Sequence, residues 1–261
     1  MCKHGASHCC HHHHHHQKPQ SKVIKVAIDG PSASGKSSTA RTIASHLGFT
    51  YIDSGAIYRC VTLAALENGW ISGAGESSTL SLKPLVEATS KMQIQMKIPA
   101  HSLQTSVWIS GREVTNEIRS SQVNQWVSFV AKHGEVRDAV GRIQRELISS
   151  PGSTGGIIMD GRDIGSVVMP DACVKIFMLA SAHVRAQRRF EEQQREGGTQ
   201  SFEQVLASIQ ARDAEDEQRE HSPLVKPADA VELDTTKMNF SEQVAWIEHL
   251  IHKQASIKTC C

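Results

Sequence analysis

The feature that most restricts the fold is a loop of small residues that stands between two regular patterns. Before it, residues 22–29 have the sequence KVIKVAID, a short β-branched apolar run that predicts a buried strand. After it, apolar residues recur at the spacing i, i+3, i+4, i+7, which predicts an amphipathic helix that ends before Gly48. These apolar residues are Ala40, Ile43, Ala44 and Leu47. The chain therefore joins a strand to a helix through a glycine-rich loop.

The loop itself has the pattern of a phosphate-binding segment. Residues 30–37, GPSASGKS, satisfy G-x-x-x-x-G-K-S/T in the strand and helix context that this motif requires. Its glycines let successive backbone N–H groups point inward, and the start of the helix adds its positive dipole end. We expect Lys36 to reach the β- and γ-phosphates, and the Ser37 hydroxyl to bind Mg²⁺. The predicted nucleoside triphosphate site consists of Gly30, Pro31, Ser32, Ala33, Ser34, Gly35, Lys36, Ser37 and Ser38.

The rest of the chain alternates between strand and helix patterns. Strands are predicted at 49–53, 155–165, 172–179 and 228–235, and helices at 56–68, 118–148, 183–198, 201–222 and 240–253. This alternation predicts an α/β fold with a mostly parallel sheet covered on both faces. Residues 71–117 differ, because 91–98 and 105–111 alternate apolar and polar residues as antiparallel strands do, after a polar, loop-like start. We interpret this region as a small insertion.

Charge and cysteine content exclude several classes of protein. The 28 Lys and Arg residues nearly balance the 27 Asp and Glu residues, so no global field would attract nucleic acid or an anionic membrane. The sequence has neither an apolar run near the roughly 20 residues that span a bilayer nor a hydrophobic secretory signal. Five of the seven cysteines lie at the chain ends, which fits a reducing compartment. We therefore expect a cytoplasmic protein that binds no nucleic acid and no membrane.

The first residues of the chain have a composition of their own. Eight of the fifteen histidines lie within residues 1–20, where His11–His16 follow Cys9 and Cys10. Such a tract can bind nickel or zinc through imidazole and thiolate groups, so a metal-binding protein led by this segment stays open as an alternative. The simpler interpretation is a purification tag with its linker, and we assign residues 1–21 to it.

The acceptor of the bound phosphate has to be identified elsewhere, since such loops serve switches, motors and kinases alike. A GTP switch would carry an N-K-x-D motif, and the sequence has none. Polar residues follow two predicted strands, at the edge where open α/β sheets bind ligands. They are Asp53, Ser54 and Arg59 after one strand, and Asp160, Arg162 and Asp163 after the other. Arginines suit bidentate capture of a phosphate, and Asp163 can accept a hydrogen bond from an exocyclic amine.

Four segments, in this order, resemble the bacterial cytidylate kinases, a branch of the nucleoside monophosphate kinases: IDGPSASGKSS, DSGAIYR, DGRDIG and ARDAEDEQR. The resemblance runs from about Val23 to the end of the closing helix. It implies a three-layer P-loop kinase core with a parallel five-stranded sheet, a small antiparallel β insertion in the monophosphate-binding region, and a helical lid. The implied core comprises 22–70, 118–184 and 223–254, with the insertion at 71–117, the lid at 185–222 and a tail at 255–261.

The resemblance also implies an activity and its residues. A monomer would transfer the γ-phosphoryl group of ATP to CMP or dCMP with Mg²⁺, giving ADP and CDP or dCDP. Ser54, Arg137 and Asp163 would read cytosine, Arg59 and Arg162 would hold the monophosphate, and Arg212, Asp216 and Arg219 would contact ribose, phosphates or base. The catalytic group would comprise Lys36, Arg162, Arg212 and Asp160, the last orienting water bound to Mg²⁺.

The chemistry of cytosine agrees with these residue types. Its amino donor stands beside ring-nitrogen and carbonyl acceptors, which match a carboxylate and an arginine, whereas uracil would leave the carboxylate facing a carbonyl. We expect no catalytic His or Cys, because a monophosphate oxygen is already a nucleophile. Two alternatives stay open: a kinase for UMP, AMP or a non-nucleotide acceptor on the same scaffold, and a nucleotide-dependent switch that phosphorylates no small molecule.

Overall fold

The computed structural model describes residues 23–100, 102, 104–150 and 155–258, so the predicted tag at 1–21 lies outside the described residues. The strands, in chain order, are β1 (Ile24–Asp29), β2 (Thr50–Asp53), β3 (Ile71–Ser72), β4 (Thr79–Leu80), β5 (Ile94–Lys97), β6 (Ser106–Ile109), β7 (Arg112–Glu113), β8 (Gly156–Gly161), β9 (Val174–Leu179) and β10 (Val231–Asp234). The α-helices are α1 (Lys36–Leu47), α2 (Ser54–Glu67), α3 (Leu82–Lys91), α4 (Ser121–Ala131), α5 (Gly134–Ser149), α6 (Ala182–Arg195), α7 (Phe202–Gln218) and α8 (Phe240–Lys258). A π-helical turn, Ile164–Val168, follows β8.

The central sheet is parallel and has the strand order β10-β9-β1-β8-β2. The predicted fold class, α/β with a parallel five-stranded sheet, is confirmed. Every residue of β8 is buried, as expected for a strand covered on both faces. In register, Asp29 lies opposite Gly161, and Asp53 lies opposite Asp160. The polar residues that end β1, β2 and β8 therefore meet at one edge of the sheet.

Helices cover both faces of the sheet because successive strand residues point to opposite sides. On one face, Ala27 of β1 packs in an apolar cluster with Ile57 of α2 and Val140 of α5. On the other face, Ile28 of β1 packs with Ile43 of α1. Helix α8 adds Ile247 to the second cluster. The two clusters thus join the sheet to a layer of helices on each face, which gives three layers and fixes the position of the polar edge of the sheet.

The region interpreted as an insertion contains the expected antiparallel strands and one unexpected helix. Strands β5, β6 and β7 form an antiparallel sheet, and β3 pairs with β4. The polar segment before β5 includes helix α3, which the sequence pattern did not predict. Its Leu85 is fully buried in the same apolar cluster as Ile57, and Pro84 lies in its first turn, where proline is tolerated. The insertion therefore shares its core with one face of the central sheet.

Two charged helices, α6 and α7, pack against each other beside the phosphate loop. Their contact is a small apolar cluster of Ala186, Val205 and Ile209, and a capping box between Ser201 and Gln204 starts α7. Helix α8 continues past its predicted end at residue 253. Within the described part of the chain, no helix has the length and apolar character needed to cross a membrane.

The close packing at the start of the loop generates a stability prediction. Gly30 has φ +151°, and a Cβ atom there would lie 2.1 Å from the carbonyl oxygen of Met178 in β9. Because backbone has to move to admit a methyl group, we expect Gly30→Ala to lower the free energy of unfolding by about 3 kcal/mol, measured by urea denaturation.

Gly48→Ala is the control, because it measures the cost of a positive φ at a position where the added methyl group meets no other atom. Gly48 has φ +67°, and a Cβ atom there would meet nothing within 4 Å, so Gly48→Ala should cost only the left-handed strain, about 1 kcal/mol. Equal losses for the two variants would contradict the close approach between Gly30 and β9.

Candidate active site

The phosphate loop forms a tight turn between β1 and α1. Ala33 has φ +57° and Gly35, which caps the start of α1, has φ +90°. The Ser34 hydroxyl donates a hydrogen bond of 2.9 Å to the Pro31 carbonyl, which closes the turn. Left-handed residues of this kind let consecutive backbone N–H groups face one side of a loop. The predicted motif thus has the backbone shape that its sequence requires.

Lys36 lies within this turn and is almost fully buried, with 4% of its surface exposed. Its ammonium group donates hydrogen bonds to the Pro31 carbonyl and, at 3.2 Å, to the Ser34 hydroxyl. Burial, together with the positive charge of Arg162, holds the pKa of Lys36 well below its usual value. The ammonium group of Lys36 is therefore poorly solvated, and an anion at this position would interact with it strongly.

Ser37 and Asp160 meet as the phosphate-binding hypothesis requires. The Ser37 hydroxyl donates to Asp160 Oδ2 at 2.8 Å, and the Tyr51 hydroxyl donates to Asp160 Oδ1 at 2.6 Å. Burial and the nearby Asp53 charge raise the pKa of Asp160 to about 6, against the lowering influence of Lys36. The sequence analysis missed Tyr51, because its partner lies more than a hundred residues away in the chain.

The hydroxyl and carboxylate of this pair are the oxygen ligands that Mg²⁺ prefers. Ser37 was predicted as a metal ligand, and the structure brings it into contact with Asp160, the other residue that the prediction linked to Mg²⁺. Nowhere in the described ranges do three or more His, Cys, Asp or Glu side chains form a metal-binding group. A metal at this position would thus depend on phosphate or water for most of its ligands, as Mg²⁺ commonly does.

Asp29, the last residue of β1, is a second buried carboxylate that the sequence analysis did not single out. It is 2% exposed and accepts hydrogen bonds from the backbone N–H groups of Ile164, at 2.8 Å, and Gly165, at 2.7 Å. Burial raises the pKa of Asp29 to about 6, although these two hydrogen bonds lower it. The strand that precedes the phosphate loop is thereby tied to the segment that follows β8.

Arg137 and Asp163 form a buried ion pair, although they lie on different elements. Arg137, on α5, donates from Nη2 to Asp163 Oδ2 and from Nη1 to the Ala131 carbonyl at 3.1 Å. Its guanidinium group stands 5.0 Å from the centre of the Tyr58 ring. The Arg137 Nε atom is buried without a hydrogen-bond partner among the described residues. The pair therefore offers an unused donor beside a carboxylate.

Ser54, the third residue predicted to read a base, begins α2. Its hydroxyl accepts a hydrogen bond of 2.9 Å from Gln144 on α5. Gln144 follows Arg137 by seven residues, so both project from the same face of α5. Helix α5 thus contacts Ser54 through Gln144 and Asp163 through Arg137. The three residues predicted to read the base, Ser54, Arg137 and Asp163, line one cleft. The sequence analysis did not identify Gln144, since no motif contains it.

Three of the residues assigned to phosphate and lid contacts form a single charge network. Asp216 on α7 accepts a hydrogen bond of 2.7 Å from Arg162 and another of 3.1 Å from Arg219. Although burial works in the opposite direction, the cations Arg162 and Arg212 hold the pKa of Asp216 below its usual value. Asp216 does not line the cleft, whereas both arginines do. In this arrangement Asp216 orients the arginines, and its predicted contact with substrate stays a prediction.

Arg212 and Arg59 bring further positive charge to the cleft. Burial and the neighbouring Arg162 lower the pKa of Arg212 to about 10, and its Nε atom has no hydrogen-bond partner among the described residues. Arg59 donates to the Ile118 carbonyl at 3.1 Å and to Asn124 Oδ1 at 2.6 Å. Both guanidinium groups line the cleft. The cleft therefore concentrates cations, and the hydrogen-bonding capacity of Arg212 is satisfied only in part.

Arg185 connects the lid helices to the phosphate loop, and the sequence analysis missed it as one arginine in a charged run. It donates to the Ser32 carbonyl at 3.1 Å and binds both carboxylate oxygens of Asp213, at 3.0 and 2.6 Å. Helix α6 carries Arg185 and helix α7 carries Asp213. Arg185 thus joins both helices to the backbone of the phosphate loop.

One wide cleft along the carboxyl edge of the sheet brings most of the predicted site residues together. It is lined by Ser32, Ala33, Ser34, Gly35, Lys36, Ser37, Ser38, Ser54, Arg59, Arg137, Asp160, Arg162, Asp163, Arg212 and Arg219. Gly30, Pro31 and Asp216 support this wall without lining it. The cleft is thus lined by the phosphate loop and by the buried Arg137–Asp163 pair.

Comparison with known proteins agrees with this geometry. A family model described as Cytidylate kinase matches residues 26–253. The cytidylate kinase of Bacillus pumilus (strain SAFR-032) is 44% identical over 222 residues, which are 85% of this chain and 92% of that protein. The cytidylate kinase of Limosilactobacillus fermentum (strain NBRC 3956 / LMG 18251) is 46% identical over 233 residues, 89% and 97% of the two chains. That of Flavobacterium johnsoniae (strain ATCC 17061) is 40% identical over 236 residues, 90% and 99%.

These matches extend far beyond the phosphate loop, which many unrelated kinases share, and include every segment that contributes to the cleft. The resemblance inferred from four short motifs is confirmed along nearly the whole sequence. The chain belongs to the cytidylate kinase family of phosphotransferases.

Proposed function

We propose that this chain transfers the γ-phosphoryl group of ATP to CMP or dCMP, giving ADP and CDP or dCDP. The observation that carries the proposal is the buried Arg137–Asp163 pair, which faces the same cleft as the phosphate loop. A carboxylate beside an arginine matches the amine and the acceptor atoms of cytosine. The carbonyl of uracil at the same position would face the carboxylate without a hydrogen bond, which is costly in a buried site.

The phosphate loop is the proposed site of ATP. The present acceptors of the Lys36 ammonium group are loop atoms, and phosphate oxygens can replace them with a stronger, charge-assisted hydrogen bond. Ser37 and Asp160 would hold Mg²⁺, which when bound neutralises charge on the β- and γ-phosphates. This chain would bind the donor at one end of its cleft and the acceptor base at the other.

The arginines between the two ends suit the transfer itself. Phosphoryl transfer needs in-line positioning, neutralisation of the negative charge that spreads over the phosphoryl oxygens, and exclusion of water. Arg59 and Arg162 would hold the acceptor phosphate, while Arg212 and Arg219 would approach it from α7 and the residue that follows it. No general base is needed, because an ionised phosphate oxygen attacks directly.

The proposal also divides the chain by role. Residues 71–117 would complete the monophosphate site and residues 185–222 would close over it as a lid, on a core of 22–70, 118–184 and 223–254. The chain would act as a monomer. The near-zero net charge supports small nucleotides, rather than nucleic acid, as partners.

A panel of acceptors tests the proposed function directly. ADP formation from ATP and Mg²⁺ is measured with CMP, dCMP, UMP or AMP as acceptor. We expect kcat/KM for CMP and dCMP to exceed that for UMP and AMP by about 100-fold or more, because mismatched hydrogen-bonding groups stay unpaired. A preference for AMP would overturn the proposal, as would ATP hydrolysis that no monophosphate accelerates.

A substitution at Asp163 tests the base-reading role. The amide of Asp163→Asn can donate to the uracil carbonyl, so the preference for CMP over UMP should narrow by about tenfold or more, while ATP binding stays unchanged. Asp171→Asn is the matched control, because Asp171 is an exposed partner of Lys25 away from the cleft. An unaltered CMP to UMP ratio in Asp163→Asn would exclude this role.

A substitution at Lys36 tests the transfer step. Lys36→Met keeps an unbranched side chain, one atom shorter, and removes the ammonium group, so kcat should fall by about 10²- to 10³-fold with little change in KM for CMP. Lys25→Met, which removes a lysine from the opposite end of β1, should leave kcat unchanged. A kcat within twofold of the parent enzyme in Lys36→Met would contradict the assignment.

A further inference from the structure

The turn that follows Asp163 is capped by a residue from another strand. In the π-helical turn Ile164–Val168, Asp163 occupies the N-cap position but makes no side-chain hydrogen bond to it. The N–H groups of Ile164 and Gly165 donate instead to the two carboxylate oxygens of Asp29. The Gly165 N–H group, one of the two donors that an N-cap aspartate ordinarily reaches, is therefore already occupied.

Asp53 provides the comparison within the same chain. Like Asp163, it lies at the carboxyl edge of the parallel sheet and directly precedes a helical segment. Asp53 does cap its own helix, since its Oδ1 accepts a hydrogen bond of 2.9 Å from the Ala56 N–H group. An aspartate at such a position can turn back onto the N–H groups of its own helical segment, and a second carboxylate that binds those groups competes with it. At Asp163 the second carboxylate is present, and the Asp163 side chain extends to Arg137.

The sequence around the turn is adapted to the approach of Asp29. A Cβ atom at Gly165 would stand 3.3 Å from Asp29 Oδ2 and 3.2 Å from Lys175 Cδ, so a larger residue would press on the carboxylate. Asp29 is 2% exposed, and both of its oxygens have a backbone donor. A buried carboxylate is costly unless it is hydrogen-bonded in this way, and its two bonds go to the same turn.

We propose that Asp29 is a positioning residue for acceptor recognition: it caps the turn after β8 in place of Asp163, so that the Asp163 carboxylate remains available to Arg137 and the acceptor base. The inference rests on the proposed function and extends it. Because Asp29 directly precedes Gly30, the same side chain also sets the base-reading segment against the strand that carries the phosphate loop.

The test is a double-mutant cycle read as the ratio of kcat/KM for CMP to that for UMP. Asp29→Asn retains one acceptor oxygen and replaces the other with an NH₂ group, which cannot accept a hydrogen bond. One backbone N–H group of the turn then loses its partner, and we expect the Asp163 side chain to turn back toward that N–H group. We expect the ratio to fall by about tenfold, chiefly through a higher KM for CMP, with KM for ATP changed less than about twofold. In an Asp163→Asn background, the same substitution should leave the ratio unchanged, because its effect acts through Asp163.

A spectroscopic measurement and a control accompany the kinetics. Amide hydrogen exchange at Ile164 and Gly165 should be faster in Asp29→Asn than in the parent protein, and Asp171→Asn should alter neither exchange nor selectivity. If Asp29→Asn does not fold, Gly165→Ala displaces the same carboxylate more gently and should lower the ratio in the same direction. An unchanged ratio in the folded variant, or an equal fall in the Asp163→Asn background, overturns the inference.

The CMP preference of the parent enzyme distinguishes a failure of the proposed function from a failure of the role given to Asp29. If it shows no preference for CMP, the proposed function itself fails. If it prefers CMP and the Asp29→Asn variant keeps that preference, only the role of Asp29 fails.

Discussion

The parallel register at the carboxyl edge of the sheet is the constraint on which the site depends. Because β8 pairs with both β1 and β2, Asp29, Asp53 and Asp160 lie at the ends of neighbouring strands, and Asp29 and Asp160 interact with the Lys36 charge. Burial raises the pKa of Asp29 and of Asp160 to about 6, and the Lys36 charge opposes both shifts. Burial also lowers the pKa of Lys36, which these carboxylates oppose in turn. The strand register thus places the Asp29 and Asp160 carboxylates close to the Lys36 ammonium group, and each opposite charge offsets part of the cost of burial.

The lid helices are attached to this edge through arginine–carboxylate pairs. Asp216 joins α7 to Arg162 after β8, and Asp213 joins the same helix to Arg185, which also binds the phosphate loop. Carboxylates and phosphates present similar bidentate acceptors to a guanidinium group, so a phosphate in the cleft would compete for the arginines that now bind aspartate. Under the proposed function, the position of α7 and the occupancy of the cleft would be linked through these shared arginines.

Local patterns predicted the parts of the fold and site that depend on local chemistry. The phosphate loop, the strands of the central sheet and the strand-end residues Asp160 and Asp163 are each readable within about ten residues of sequence. Helix α3 was missed because it lies in a polar stretch of sequence and has a single buried apolar residue, Leu85. Tyr51, Gln144 and Arg185 were missed for a different reason: each acts through a partner on another element, and spacing within a single sequence carries no information about such contacts.

The aspartates of the site show why a motif alone does not assign a role. Asp53 and Asp163 have the same residue type, a similar place at the carboxyl edge of the sheet and a helical segment directly after them. Asp53 binds its own helix and Asp163 binds Arg137, a difference that neither local sequence explains. We attribute it to Asp29, which binds the two N–H groups directly after Asp163 but lies more than a hundred residues away in the chain. Under the proposed function, the Asp163 carboxylate can therefore face the acceptor base because Asp29, a residue outside the DGRD motif, binds the backbone N–H groups that follow Asp163.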